Sequence, residues 1–147
     1  MGSSSHKQCT IGPQVLVEQA SRYAGPSPHL WVIGWRIQNL GHQPLRLLAA
    51  HLPHSRFRGG ETKLDLLPTM LPGESARVEL SVACNQPPGG VVENAFLILR
   101  VLWLEQPWRI LARLRVVCDE EGAPETTTEV VTTQPVGFSV QGQDSMR

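Results

Sequence analysis

The side chains with the most chemical potential are His51 and His54, which flank Leu52-Pro53, together with His42 and Cys84 elsewhere in the chain. Imidazole nitrogens and a thiolate sulfur are ligands that zinc and copper accept. Against a metal site, Pro53 keeps the two imidazoles off one helical face, and no second closely spaced pair completes a ligand set. Neither Cys84 nor Cys118 is followed at close range by the His and Met of a cupredoxin-type copper site. Solvated loop histidines are the expected reading, and a metal-handling role for His51 and His54 stands as the alternative.

A second constellation is basic. Arg100, Arg109, Arg113 and Arg115 fall on the outward positions of a hairpin expected over residues 94–118. Guanidinium forks on one face could grip a phosphate or a carboxylate partner. The competing expectation is charge pairing, because Asp119, Glu120, Glu121, Glu125 and Glu129 follow in the turn and strand that would lie alongside. Trp31, Trp35, Trp103 and Trp108 could stack on a sugar if exposed, but their alternation with polar neighbours assigns them to the core. The chain contains no nucleophile elbow, no Gly-rich phosphate loop ending in Lys, no paired metal carboxylates and no Cys with a local His signature. No cofactor is expected, and the chain is not expected to be an enzyme.

Composition narrows the partners. The 147 residues suit one domain, and 41% hydrophobic with 18% charged residues is a globular balance. Thirteen basic residues offset thirteen acidic ones, so no long-range field draws the whole molecule onto nucleic acid or an anionic membrane. Three cysteines without a C-x-x-C spacing exclude a disulfide-rich secreted scaffold. The opening MGSSSHKQCT has no apolar stretch, and nothing approaches the roughly 18 consecutive apolar residues of a membrane span. As written, the chain reads as cytoplasmic, with export open if a signal has been removed.

The elements that must position these side chains are strands. Residues 14–23 suggest a first edge strand stopped by Gly25-Pro26-Ser27-Pro28. In HLWVIGWRIQN, Trp31, Ile33, Trp35 and Ile37 share one face, assigned to the core. Asn39 to Gly41 turn the chain, and a Pro44-led strand runs to Leu52. Residues 53–60 read as a loop and 62–67 as a short strand. LPGESARVELSVAC places Ala76, Val78, Leu80, Val82 and Cys84 inward. Residues 94–104 and 108–118 form a hairpin around Glu105-Gln106. There the odd residues of the first arm face the even ones of the second, with Trp103 opposite Trp108. The Thr- and Val-rich 126–133 adds a last strand. No amphipathic helical stripe is present.

About seven or eight short strands punctuated by Pro and Gly predict an all-β, two-sheet antiparallel sandwich. WRIQNLGHQPLRL and LPGESARVELSV resemble the immunoglobulin-like sandwiches of bacterial surface and accessory proteins, such as the CARDB type. In those, a strand ending in Asn and Gly precedes a Pro-led strand, and a Leu-Pro-Gly-Glu turn opens a later one. The resemblance covers residues 14–118 and implies a fold without naming a ligand. The Cys and Trp spacing of antibody domains is missing. The topology it implies runs the fifth and seventh strands in one direction, which brings Cys84 and Cys118 to one pole. There they are expected as two buried thiols, and a disulfide is geometrically conceivable.

The expected organisation is a flexible lead-in over 1–12, one β-sandwich over 13–134 and a tail over 135–147. The expected function is non-enzymatic binding of another protein, or self-association as a homodimer, without nucleic acid or membrane. The route is strand addition at an exposed edge, 14–23 or 126–133, or contact through the basic outer face of the 94–118 hairpin. A small-ligand or carbohydrate carrier is a further alternative, which requires an open cleft.

Overall fold

The computed structural model describes residues 11–137. Most of the expected lead-in and tail, with Cys9, lies outside the described residues. Eight strands follow in order: β1 (Val15–Ala24), β2 (Leu30–Asn39), β3 (Leu45–His54), β4 (Phe57–Lys63), β5 (Ser75–Ala83), β6 (Val91–Trp103), β7 (Gln106–Cys118) and β8 (Pro124–Pro135). The chain is all-β, with no helix among the described residues.

Period-2 alternation builds the core. Ile33, Trp35 and Ile37 of β2, Val78, Leu80 and Val82 of β5, and Leu97, Leu99 and Val101 of β6 are all buried. Ile110, Ala112, Leu114 and Val116 of β7 complete the opposite wall. Trp35 sits at the centre, edge-on to Phe57 with ring centroids 6.4 Å apart. Of the four tryptophans assigned to the core, only Trp35 is fully buried. Trp31, Trp103 and Trp108 are half-buried and pack against the core from its rim.

The strand order is β1-β2-β5-β4-β3-β6-β7-β8, and every neighbouring pair is antiparallel. The ladders thus form one sheet instead of two separate ones, and that sheet curls into a nearly closed barrel. The join between β4 and β5 is a single rung, Arg58 opposite Ala83. Gly59 permits it, since a Cβ there would stand 2.9 Å from the Ser81 carbonyl oxygen. The barrel's two outer edges, β1 and β8, pack on each other, with no ladder between them among the described residues.

Three expectations are corrected: the 53–60 loop, the 62–67 strand, of which only 62–63 are strand, and the hairpin register. Residues 53–60 are not a loop: β3 continues through Pro53 to His54, and β4 starts at Phe57 after a tight turn. Phe57 and Gly59 alternate inward and lock that hairpin to the core, while 64–67 close a turn through Leu67 N–H to the Leu64 carbonyl at 3.0 Å. The central hairpin turns at Leu104-Glu105, both with positive φ, 54° and 61°. Trp103 therefore pairs with Gln106, and Trp108 lies opposite Val101. This register is two residues from the expected one, so each side chain keeps its face. Trp103 and Trp108 meet diagonally, edge to face, with centroids 5.6 Å apart.

Candidate interaction surface

The basic face exists as a surface but not as an uncompensated charge. Arg100 stands directly opposite Arg109 on β6 and β7. Arg100 reaches Glu61 of β4 at 2.7 Å, Arg113 reaches Glu129 at 3.5 Å, and Arg115 reaches Glu93 at 3.0 Å. Arg109 donates to the Gln134 side-chain oxygen at 3.4 Å. Of the acids expected to neutralise this face, Glu129 does so. Glu61 and Glu93 arrive from β4 and from a bulge in β6, which no local reading of the hairpin could supply. Each exposed pair contributes about 0–1 kcal/mol, and three of the four arginines have a carboxylate within 3.5 Å. Phe96, Ile98 and Leu111 lie half-buried among the arginines.

The histidines do not converge. His51 faces outward on β3 opposite Ile98, and His42 is exposed in the β2–β3 turn at the other end of that strand. His54 Nδ1 accepts the Arg56 backbone N–H at 3.0 Å, closing the β3–β4 turn. Among the described residues no three His, Cys, Asp or Glu side chains meet in a way that could hold a metal ion.

The two candidate edges, expected as alternatives, turn out to face one another across the barrel's open seam. At one end, side chains lace them. Gln19 Oε1 accepts both the backbone N–H and the hydroxyl of Thr126, each at 2.7 Å. Trp35 Nε1 donates to the same hydroxyl at 3.2 Å, so the lacing is tied to the core. Arg22 bonds Asp119 at 2.9 Å and reaches Glu125 at 3.7 Å. The Asp119 carboxylate also accepts from the backbone N–H groups of Ala123 and Glu121. Those two bonds, then the Arg22 guanidinium, hold its pKa below the ordinary carboxylate value.

Local sequence explains this placement. A bulge at Ala20 shifts the β1 register between Gln19 and Ser21, which turns Arg22 toward the barrel's rim opposite Ile33. An inward-pointing charge and a bulge are two devices that blunt an edge strand. β8 carries its own bulge, between Thr128 and Val130, where Thr128 Oγ1 is buried without a hydrogen-bond partner among the described residues and Arg113 Nε has the Glu129 carboxylate at ion-pair distance.

Among the described residues, no side-chain hydrogen bond or ion pair laces the other end of the seam. Gly12 and Pro13 close its tip, with Gly12 so near Trp108 that a Cβ would stand 2.7 Å from the indole. Between the tip and Gln19 lies a hollow of about 330 Å³ lined by Val15, Leu40, Val131, Thr132 and neighbouring residues. Leu16 and Val130, on the solvent side of the two edges, are exposed. The lacing residues Gln19, Arg22 and Thr126 were not anticipated from sequence. The available signal was Gln19 at the position where Val15 and Val17 set an inward face.

No protein-family model matches the chain, and no curated protein matches it. Among solved structures, the X-ray structure of Northeast Structural Genomics Consortium target SoR45 aligns over 86% of this chain and 87% of that chain, at 14% identity and a TM-score of 0.28. No helix among the described residues is long and apolar enough to cross a membrane.

Proposed function

We propose that this protein is a non-enzymatic, immunoglobulin-like binding module that captures an extended segment of another protein by strand addition at the unlaced end of the β1/β8 seam. The carrying observation is that, among the described residues, two strand edges run side by side without a shared ladder, tied at one end and unlaced at the other. Backbone groups on such edges gain partners when a third strand arrives, which supplies affinity, while alternate side chains supply specificity. The inner positions there are Val15, Val17 and Val131, and the outer ones include Leu16 and Glu18. A matching segment alternates apolar residues with polar or basic ones.

The sandwich reading draws support from the strand order, in which β2 lies beside β5 and β3 beside β6 in a Greek-key crossover, and from the β4–β5 join, which is a single rung. The hairpin-face route has less support, because Arg100, Arg113 and Arg115 already hold carboxylates.

The test is selection of displayed peptides against the folded protein, followed by affinity measurement with the Leu16→Lys variant. An edge lysine opposes strand addition, and Leu16 lies outside the core, so folding should be retained. Selected peptides should alternate as described and bind the variant at least tenfold more weakly. Equal binding to the variant, with loss of binding in an Arg113→Ser, Arg115→Ser variant, contradicts the seam and favours the hairpin face.

A further inference from the structure

The pole where the seam is laced holds a second feature with chemistry of its own. Cys84, just past the end of β5, and Cys118, the last residue of β7, place their sulfurs 3.9 Å apart. Both side chains are buried, at 2% and 1% exposure. Their backbones are pinned: Cys84 N–H donates to the His29 carbonyl at 2.9 Å, and Cys118 N–H donates to the Gly90 carbonyl at 2.9 Å. The Cys118 carbonyl accepts from Gly89 N–H at 2.8 Å, so the β5–β6 loop that begins at Cys84 folds back onto Cys118. Strands β5 and β7 are not neighbours in the sheet. The two sulfurs meet across the barrel's interior, where no ladder holds the walls together.

We propose that Cys84 and Cys118 are a redox-responsive pair that closes to an intramolecular disulfide when a small peroxide reaches them, clasping one wall of the barrel to the other. A sulfur–sulfur bond is about 2 Å long, so the sulfurs must close by roughly half their 3.9 Å separation. One sulfur attacks a peroxide oxygen as the O–O bond breaks, giving a sulfenic acid and water. The second sulfur then displaces the sulfenic hydroxyl, which leaves as another water. Two thiols and one hydrogen peroxide thus become one disulfide and two waters, with two electrons passing from sulfur to oxygen.

Access is provided by a hollow of about 510 Å³ lined by Cys84, His29, Trp31, Gln86, Pro87 and Gly122, among others. Burial first, and then the Cys118 sulfur beside it, push the Cys84 thiol up to about 12. Because the thiolate is the nucleophile, this slows attack on every oxidant, and the burial of both sulfurs favours a small neutral oxidant over a bulky disulfide such as oxidised glutathione. Closure would fasten the same pole that Arg22 and Asp119 lace. It does not depend on what the seam binds.

The experiment uses the full chain with Cys9→Ser, which removes the one cysteine outside the described residues. The folded variant is treated with hydrogen peroxide, quenched with catalase, and its thiols are counted in denaturant without reductant. We expect two thiols to fall to none, a mass loss of two hydrogens, full reversal by dithiothreitol, and a melting temperature raised on the order of 10 °C by the closed loop. Retention of both thiols, a mass gain of oxygen, or disulfide-linked dimers would overturn the proposal.

Discussion

Gln19 and Thr126, which are 107 residues apart in sequence, share a single carboxamide oxygen: Gln19 Oε1 accepts from both the backbone N–H and the hydroxyl of Thr126 at 2.7 Å. Where the barrel lacks a backbone ladder, this side chain substitutes for one. Gln19→Ala leaves the Thr126 N–H without its acceptor in a part-buried position, and should cost about 1–2 kcal/mol. Urea unfolding of the variant against the parent measures it, and a difference within about 0.3 kcal/mol would mean that the lacing contributes nothing.

Gly59 lets β4 approach β5 closely enough to carry the sheet past its weakest junction. Gly59→Ala puts a Cβ against the Ser81 carbonyl oxygen at 2.9 Å and against Leu52 at 3.2 Å. Backbone must move to accommodate it, so the variant should lose about 1–3 kcal/mol. Gly60, with open space around its missing Cβ, is the internal control, and Gly60→Ala should change stability far less.

The β6–β7 turn holds Leu104 and Glu105 at positive φ, a conformation that suits Asn and Gly far better than either residue. Leu104→Asn with Glu105→Gly should stabilise the protein by about 1 kcal/mol without altering the register. Thermal or urea unfolding reads this directly. A loss of stability would mean that exposed Leu104 makes contacts its strained backbone was retained to hold.

Asp119 contributes a pH dependence with a defined sign. Its folded-state pKa lies below the unfolded one, because the Ala123 and Glu121 N–H groups and then Arg22 favour the carboxylate. The stability it contributes is therefore present above the unfolded pKa of about 4 and is lost as pH falls through the folded value. Asp119→Asn keeps an acceptor oxygen but cannot titrate, so its stability should fall less steeply than the parent's below about pH 4. Identical acid profiles would remove Asp119 from the account.

Much of the fold was legible because periodicity is local. The inward sets of β2, β5, β6 and β7 follow from alternation alone, and the all-β class follows with them. What escaped depends on distant partners. The start of β4 lay within residues 53–60, whose His, Arg, Pro and Gly content reads as a loop, though Phe57 and Gly59 alternate inward like any strand. The hairpin register slipped by two because Leu104-Glu105 has no turn-forming residue, whereas the faces survived because the parity was right. The arginines of the hairpin were found, but two of their counter-charges, Glu61 and Glu93, lie across the sheet or at a bulge. Both seam strands were recognised as edges, and their meeting is a consequence of barrel curvature that no local pattern encodes.

The central claim is that an extended chain docks between the unlaced stretches of β1 and β8. Its most direct measurement is residue-resolved amide shift mapping of the ¹⁵N-labelled protein on titration with a selected peptide. The account predicts the largest shifts, and new protection from hydrogen exchange, at residues 15–18 and 131–134, with the β6–β7 outer face unmoved. Perturbations centred on Arg100, Arg109, Arg113 and Arg115, with the seam amides unchanged, would contradict it.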